Sequence, residues 1–115
     1  MRSSSLPARS SADRMGVHAS DAARLLKTLA NEKRLLILCL LVEGERSVGE
    51  LNARVELSQS ALSQHLAVLR EEGLVHTRRD AQSIVYSLAE GPAQRVIDTL
   101  HSIYCADEAD LCEVN

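Results

Sequence analysis

Apolar residues recur every three or four positions through most of this 115-residue chain, and this spacing predicts amphipathic helices. Five helices are predicted, and each begins at a residue type that favours a helix start. The first begins near Ser20, the next three are capped by Asn31, Ser47 and Ser58, and the fifth has Pro92 at its first position. The chain is therefore predicted to be mainly α-helical.

The second and third helices carry clear local signals. Residues 35–42 are apolar on every side, which predicts that the second helix is fully buried. Ser47 is followed three residues later by Glu50, the spacing of a capping box, and the helix that they open is predicted to end near Val55. The Ser58 helix follows after a short turn, so the third and fourth helices form a predicted helix-turn-helix.

Strand-like sequence follows the fourth helix. Gly73 is predicted to end that helix as a C′ glycine. Two β-rich runs, residues 74–79 and 83–88, are joined by the polar residues 80–82, which predicts a β-hairpin. The predicted fold class is therefore mainly α with a small β-hairpin: a winged helix-turn-helix of five helices and a two-stranded wing.

One domain, residues 19–106, is predicted to hold all of these elements, because 115 residues are too few for two independent cores. Residues 1–18 are rich in Ser and Arg without periodicity, so we expect a disordered N-terminal tail. Residues 107–115 are predicted as an acidic C-terminal tail. The sequence has no apolar run that spans a membrane and no signal-peptide pattern at its start, so we expect a cytoplasmic protein with no membrane partner.

The polar face of the fourth helix is the strongest functional signal. Leu62, Leu66 and Leu69 form its apolar stripe, and the opposite face offers Gln and Ser side chains with almost no acid. Such a helix fits the major groove of double-stranded DNA, while a basic hairpin tip reaches flanking phosphates or the minor groove. The alternative is an amphipathic surface helix packed beside a hairpin. The candidate DNA-binding residues are Ser58, Gln59, Ser60, Ser63, Gln64, His65, Arg78, Arg79 and Gln82.

The net charge of −3 disfavours DNA binding until its distribution is considered. Residues 1–34 carry seven Lys or Arg against three acids, whereas residues 105–115 carry four acids and no base. Charge therefore permits DNA binding without requiring it. The scarcity of aromatic residues argues against stacking on single-stranded nucleic acid. The sequence has no Gly-rich phosphate loop, acid–base carboxylate pair or Ser-His-Asp set, so neither an enzyme nor a cofactor is predicted.

The apolar stripes of the first and last helices exceed what one small core buries. Pairing these helices with a second copy would bury both stripes, so a homodimer is predicted. A dimer would also place two reading helices about one DNA turn apart, roughly 34 Å, as a palindromic operator requires. The stripes consist of Ala22, Leu25, Leu26 and Leu29 on the first helix, and of Val96, Ile97, Leu100, Ile103 and Tyr104 on the last.

Five segments of the chain resemble the ArsR family of winged-helix repressors, and together they span about residues 20–105. The resemblance implies a homodimer that blocks transcription until an inducer weakens DNA binding. It also implies that residues 58–71 are the recognition helix and residues 75–88 the wing. The segments are Leu29-Ala-Asn-Glu-Lys-Arg-Leu-Leu-Ile-Leu, Ser47-Val-Gly-Glu-Leu, Ser58-Gln-Ser-Ala-Leu-Ser-Gln-His-Leu, Leu69-Arg-Glu-Glu-Gly-Leu-Val and Arg79-Asp-Ala-Gln-Ser-Ile-Val-Tyr-Ser-Leu.

The metal sites of the resembled family are incomplete in this sequence. Arsenic- and cadmium-sensing members carry Cys-x-Cys on the third helix, where residues 47–49 of this chain are Ser-Val-Gly. Zinc- and nickel-sensing members place Asp and His ligands on the last helix, where Glu90 retains a carboxylate and the other usual positions cannot bind metal. Those other positions are Pro92, Ile103 and Ala106. Asp98 and His101 are either half a metal site or a solvated pair.

Three cysteines, Cys39, Cys105 and Cys112, lie too far apart for a zinc knuckle, so they are inert thiols or include a redox pair. The sequences around Cys39 and Cys105 resemble the BigR/SqrR/YgaV branch, which senses sulfide-derived persulfides or related oxidants. The resemblance implies that Cys39 and Cys105 sense a reactive sulfur species or an oxidant. Because Cys39 lies in an apolar run and a buried thiol is a poor nucleophile, we expect Cys105 to attack and Cys39 to resolve. A metal-sensing ArsR-type repressor and a partner-binding module of the same fold are the alternatives.

Overall fold

The computed structural model describes the backbone of residues 10–114 and the side chains of residues 10–105. Within these residues the chain forms five helices and one three-stranded antiparallel sheet. The predicted fold class, a mainly α-helical winged helix-turn-helix, is confirmed. The elements are α1 Ser11–Leu29, α2 Glu32–Glu43, β1 Arg46–Ser47, α3 Val48–Arg54, α4 Gln59–Glu71, β2 Val75–Asp80, β3 Ser83–Leu88 and α5 Pro92–Val114.

Helices α2, α3 and α4 begin where the sequence predicts. The Asn31 side chain accepts a hydrogen bond of 3.0 Å from the backbone N–H three residues on, and Ser58 accepts an equivalent bond of 3.1 Å. Ser47 and Glu50 form the predicted capping box. These bonds are local and satisfy backbone groups that have no partner inside the helix, so residue type alone was enough to predict them.

Helix α1 begins earlier than predicted. It starts at Ser11, so the predicted start near Ser20 is wrong. The Ser10 side chain accepts a hydrogen bond of 3.1 Å from the backbone N–H of Asp13, whose carboxylate also complements the helix dipole. The side chains of the first nine residues of α1 are exposed, so no apolar stripe marks this part in the sequence. The predicted tail boundary falls inside α1, and residues 1–9 lie outside the described residues.

Helix α5 begins at Pro92 as predicted, and its backbone continues to Val114, past the predicted end of the domain. Ile97, near its start, is buried in the core with 2% of its surface exposed. Ile103 and Tyr104, two turns later, are exposed. The helix therefore packs on the domain through its first turns and leaves an apolar stretch uncovered in a single chain.

A third strand joins the wing, which corrects the predicted two-stranded wing to a three-stranded sheet. Strand β1 pairs antiparallel with β3, and the strand order is β1-β3-β2. Strand β1 is only two residues long, and its second residue, Ser47, is also the N-cap of α3, so no alternating pattern marks it in the sequence. This pairing attaches the wing to the start of the helix-turn-helix.

The junction between α4 and the wing is a Schellman motif. The Gly73 N–H donates to the Arg70 carbonyl at 3.0 Å, and the Leu74 N–H donates to the Leu69 carbonyl at 2.9 Å. Gly73 has a φ of 77°, a left-handed conformation that favours glycine. The predicted role of Gly73 as the C′ glycine of α4 is confirmed. This turn alone separates the end of α4 from the start of strand β2.

The core lies on one side of α2. The prediction that residues 35–42 are buried on every side is wrong, because Leu36 and Val42 are 46% and 36% exposed. The face of α2 that other elements cover carries Ile37, Leu38, Leu40 and Leu41. The buried cluster consists of Leu29, Ile37, Leu38, Leu40, Leu41, Leu51, Val55, Leu62, Leu66, Leu69, Leu74, Val75, Ala93 and Ile97.

Candidate nucleic-acid interface and thiol pair

The packing of α4 on α2 decides which α4 side chains face outward. Leu62, Leu66 and Leu69 of α4 are buried in one cluster with Ile37 and Leu38 of α2. The helical period then turns the intervening polar residues outward. Those side chains donate and accept hydrogen bonds in the way that base edges require. The exposed polar residues are Ser58, Gln59, Ser60, Ser63 and Gln64.

The beginning of α4 suits an approach to phosphate. The Ser58 hydroxyl oxygen caps the helix and lies 3.3 Å from the Ser60 hydroxyl. No acidic residue lies in the first turn of α4. The positive end of the helix dipole is therefore not neutralised by the protein itself, which favours an anion at this end.

The wing tip and the start of α4 face one open groove. Gln59 of α4 and Gln82 at the wing tip both line it, together with Asn52 of α3. Two residues predicted from separate segments are thus brought together. Asn52 was not among the candidates, and its only sequence signal was a polar residue on the first helix of the helix-turn-helix.

The two wing arginines differ in their surroundings. The Arg78 guanidinium donates to both carboxylate oxygens of Glu45, at 2.7 and 3.3 Å, and lies 3.8 Å from Asp80. These hydrogen bonds hold the pKa of the Glu45 carboxyl below its ordinary value. Arg79 forms no ion pair with a residue whose side chain is described. Arg79 is therefore available to a phosphate, whereas Arg78 must first exchange its carboxylate partner.

His65 lies at the side of α4 and is half-buried. Its ring Nδ1 is 3.4 Å from a guanidinium nitrogen of Arg34 on α2. Burial, together with the Arg34 charge, lowers the pKa of His65 below its ordinary value of 6.5. The structure therefore turns one ring nitrogen of this predicted DNA-binding residue toward α2.

The two predicted sensing cysteines lie on elements that pack together. Cys39 on α2 and Cys105 on α5 are both free and half-buried. Burial raises the pKa of the Cys39 thiol, and the nearby charges of Cys105 and Glu43 raise it further. Cys105 is thus close enough to act on the titration of Cys39. The side chain of Cys112 lies outside the described residues.

Comparison with known proteins decides the family of this chain. Residues 31–77 match the family model described as bacterial regulatory protein, arsR family. The transcriptional activator HlyU of Vibrio cholerae is 54% identical over 91 residues, which cover 79% of this chain and 84% of HlyU. This chain belongs to the arsR family.

Two further relatives place this arsR-family chain in the branch predicted from the sequence. The biofilm growth-associated repressor of Agrobacterium fabrum is 52% identical over 97 residues, 84% of this chain and 83% of that repressor. The crystal structure of the transcriptional repressor BigR from Xylella fastidiosa matches with a TM-score of 0.78 at 45% identity, covering 84% of this chain and 98% of BigR. The chain is therefore a DNA-binding transcriptional regulator of the arsR family.

Two parts of this chain correspond to metal sites of metal-sensing arsR-family members, namely the start of α3 and helix α5. Residues 47–49 open α3 without a thiol, and Asp98 and His101 are exposed on α5. Among the residues whose side chains are described, no three His, Cys, Asp or Glu gather into a group able to hold a metal ion. Within the same residues, no helix combines the length and apolar character that crossing a membrane requires.

Proposed function

We propose that this arsR-family regulator is a dimeric repressor that releases its palindromic operator when Cys39 and Cys105 become linked through sulfur. The observation that carries this proposal is the pair of free, half-buried thiols on α2 and α5, where the charge of one raises the pKa of the other. Helix α2 also packs beneath α4, the proposed reading helix. A bridge at the thiols therefore acts on an element in contact with the DNA-reading element.

In this proposal α4 reads base edges and the wing holds the backbone. Gln59, Ser63 and Gln64 are exposed on the outer face of α4, and their amide and hydroxyl groups match the donors and acceptors of the major groove. Ser58 and Ser60 approach phosphate at the helix start. Arg78, Arg79 and Gln82 contact the backbone from the wing, and His65 contributes from the side of α4.

Exposed apolar residues support a homodimer through α1 and α5. Leu26 on α1 is 57% exposed, and Ile103 and Tyr104 on α5 are 62% and 75% exposed. Large apolar side chains that cluster on an exposed face favour association. A second copy of the chain would cover both helices and would present two α4 helices to the two halves of a palindrome.

The chemistry of the switch uses a polysulfide as the oxidant. The Cys105 thiolate attacks a sulfur of the polysulfide, a shorter polysulfide anion leaves, and Cys105 then carries two added sulfurs. The Cys39 thiolate attacks the sulfur next to the terminal one, and hydrosulfide leaves. The product is a Cys105–S–Cys39 trisulfide bridge. Burial raises the pKa of Cys39, so the thiolate that attacks first is assigned to Cys105.

The bridge is transmitted through the close-packed core. Ile37 and Leu38 of α2 are fully buried against Leu62 and Leu66 of α4, and such interiors do not absorb a shift without repacking. A change in how α2 lies against α5 therefore moves the reading helix. A coupling of only about 1–3 kcal/mol changes operator affinity roughly 5–150-fold.

The test uses the parent protein and a duplex that this protein selects from a random-sequence library. Binding is measured by fluorescence anisotropy after treatment with polysulfide, hydrogen peroxide or zinc in parallel. We expect polysulfide to weaken binding roughly 5–150-fold and zinc to leave it unchanged. Release by zinc alone would instead support a metal-sensing regulator. Release by none of the three would contradict the proposed switch while leaving DNA binding intact.

A further inference from the structure

Two arginines connect α1 to α4 through hydrogen bonds and an ion pair. The first is Arg24 on α1, which forms a two-pronged ion pair with Glu72, the C-cap residue of α4. Its Nε lies 2.8 Å from Oε1 of Glu72, and its Nη2 lies 3.0 Å from Oε2. The Glu72 side chain is 20% exposed and the Arg24 side chain 68% exposed, so a solvent-facing guanidinium is held against a carboxylate that the fold largely shields.

The second connection runs through Arg34 near the start of α2. Its Nε donates to the carbonyl of Thr28 at 2.6 Å, and its Nη1 lies 3.4 Å from Nδ1 of His65. Thr28 is buried and sits in the last turn of α1, where carbonyls have no partner inside the helix. The Arg34 guanidinium thus donates to a backbone carbonyl at the end of α1 and also contacts a side chain in the middle of α4.

The spacing of these contacts along α1 and α4 determines how they restrain α4. Each contact that joins the two helices is called an attachment. On α1, residues 24 and 28 are one turn apart and lie on the same face. On α4, residues 65 and 72 are two turns apart, about 10 Å along the helix axis. One attachment fixes the position of a helix, whereas two separated attachments also fix its direction.

We propose that Arg24 and Arg34 are positioning residues for DNA recognition, which fix the direction of α4 relative to the C-terminal half of α1. This inference rests on the proposed function in one respect, that α4 reads DNA. If α1 lies in the dimer interface, the two arginines set the angle at which each α4 meets its half of a palindrome. Neither arginine touches DNA in this role.

The experiment reverses the Arg24–Glu72 pair in the full-length protein. Arg24→Glu, Glu72→Arg and the double reversal are compared for affinity toward the duplex selected by the parent protein and toward random duplex of equal length. The readout is the ratio of the two affinities, because a change in net charge shifts binding to both duplexes together. Thermal unfolding of each variant reports whether the fold is retained.

We expect each single reversal to lower the affinity ratio about 2- to 30-fold and the double reversal to restore it. Glu90→Arg is the matched control, because it reverses the same charge on an exposed carboxylate outside α4 that has no ion pair among the described residues. An unchanged ratio in the single reversals, or a ratio that the double reversal does not restore, would overturn the inference. So would an equal loss in the control.

A second variant covers the case in which a reversal prevents folding. Arg34→Lys retains the charge but loses the planar fork that reaches Thr28 and His65 together, so it is expected to lower the same ratio. Ser63→Ala and Gln64→Ala are measured alongside. If these two leave the ratio unchanged, the assignment of α4 as the reading helix fails. If they lower it and the arginine variants do not, only the positioning role fails.

Discussion

At the scale of single residues, the ion pair between Glu45 and Arg78 limits the positive charge of the wing, which we propose to contact DNA. Glu45→Gln removes the carboxylate that lies 2.7 Å from Arg78 and leaves only the longer contact of 3.8 Å with Asp80, so the guanidinium becomes more available to neutralise a phosphate. We expect tighter binding to the selected duplex and to random duplex alike. The plot of log affinity against log salt should steepen by about one unit, because one more counterion is released.

Arg79→Gln is the opposite change in the same wing, because Arg79 has no acidic partner among the described residues. This variant should bind both duplexes more weakly, with a salt dependence that is shallower by about one unit. Salt slopes that stay at the parent value in both variants would show that the wing points away from DNA.

His65 gives the fold a dependence on pH. Because burial and Arg34 lower its pKa in the folded protein, the unfolded chain binds a proton first as the pH falls. The free energy of unfolding should therefore decrease as the pH falls below about 6.5, and this decrease should end once the folded-state pKa is passed. Urea unfolding across this range measures it. His65→Gln should lose this part of the pH dependence, and His76→Gln tests whether removing any histidine has the same effect.

At the scale of elements, the turn at the wing tip carries backbone strain. Ala81 has a φ of 58°, a conformation that costs a non-glycine residue about 1 kcal/mol. Ala81→Gly should raise the free energy of unfolding by about 0.5–1 kcal/mol in urea titrations. Gly73→Ala is the reverse change at a φ of 77° with no atom within 4 Å of the added methyl, so it should lower that free energy. The same sign in both variants would contradict the strain argument.

Elements set by neighbouring residues were predictable from the sequence, and elements set by distant residues were not. The N-caps at Asn31, Ser47 and Ser58 depend on hydrogen bonds between residues three positions apart, so residue type was enough to predict them. Strand β1 depends on pairing with β3, some 40 residues along the chain, and is too short to show a pattern. The start of α1 escaped prediction because its exposed first turns carry no apolar stripe.

The candidate site follows the same division. The polar face of α4 was predictable because the apolar period fixes which side is buried. Arg78 and Glu45 are 33 positions apart in the sequence, and Arg34 and His65 are 31 positions apart. No local sequence pattern therefore predicts these contacts. The sequence therefore revealed the exposed polar residues of α4, which we propose to read DNA, but not the contacts that restrain the helix and the wing.

At the scale of the whole molecule, α5 should hold the dimer together. Ile103→Asp places a charge at a position where the side chain is 62% exposed in the single chain, so the fold of one chain should tolerate it. The same charge would be buried in the proposed dimer interface and should prevent association. We expect monomers in sedimentation velocity and loss of tight binding to the selected duplex. His101→Asp, an exposed change on the same helix, should remain dimeric. A dimer that persists in Ile103→Asp would place the interface elsewhere.

The central claim is that Cys39 and Cys105 act together to control operator affinity. The most direct measurement compares parent and Cys39→Ser/Cys105→Ser protein for binding to the selected duplex before and after addition of polysulfide. Both proteins should bind equally before treatment, because neither thiol lies on the reading face. After treatment the parent should release the duplex and the double variant should keep it, since a bridge needs two sulfurs. Release of the duplex by the double variant would contradict the claim.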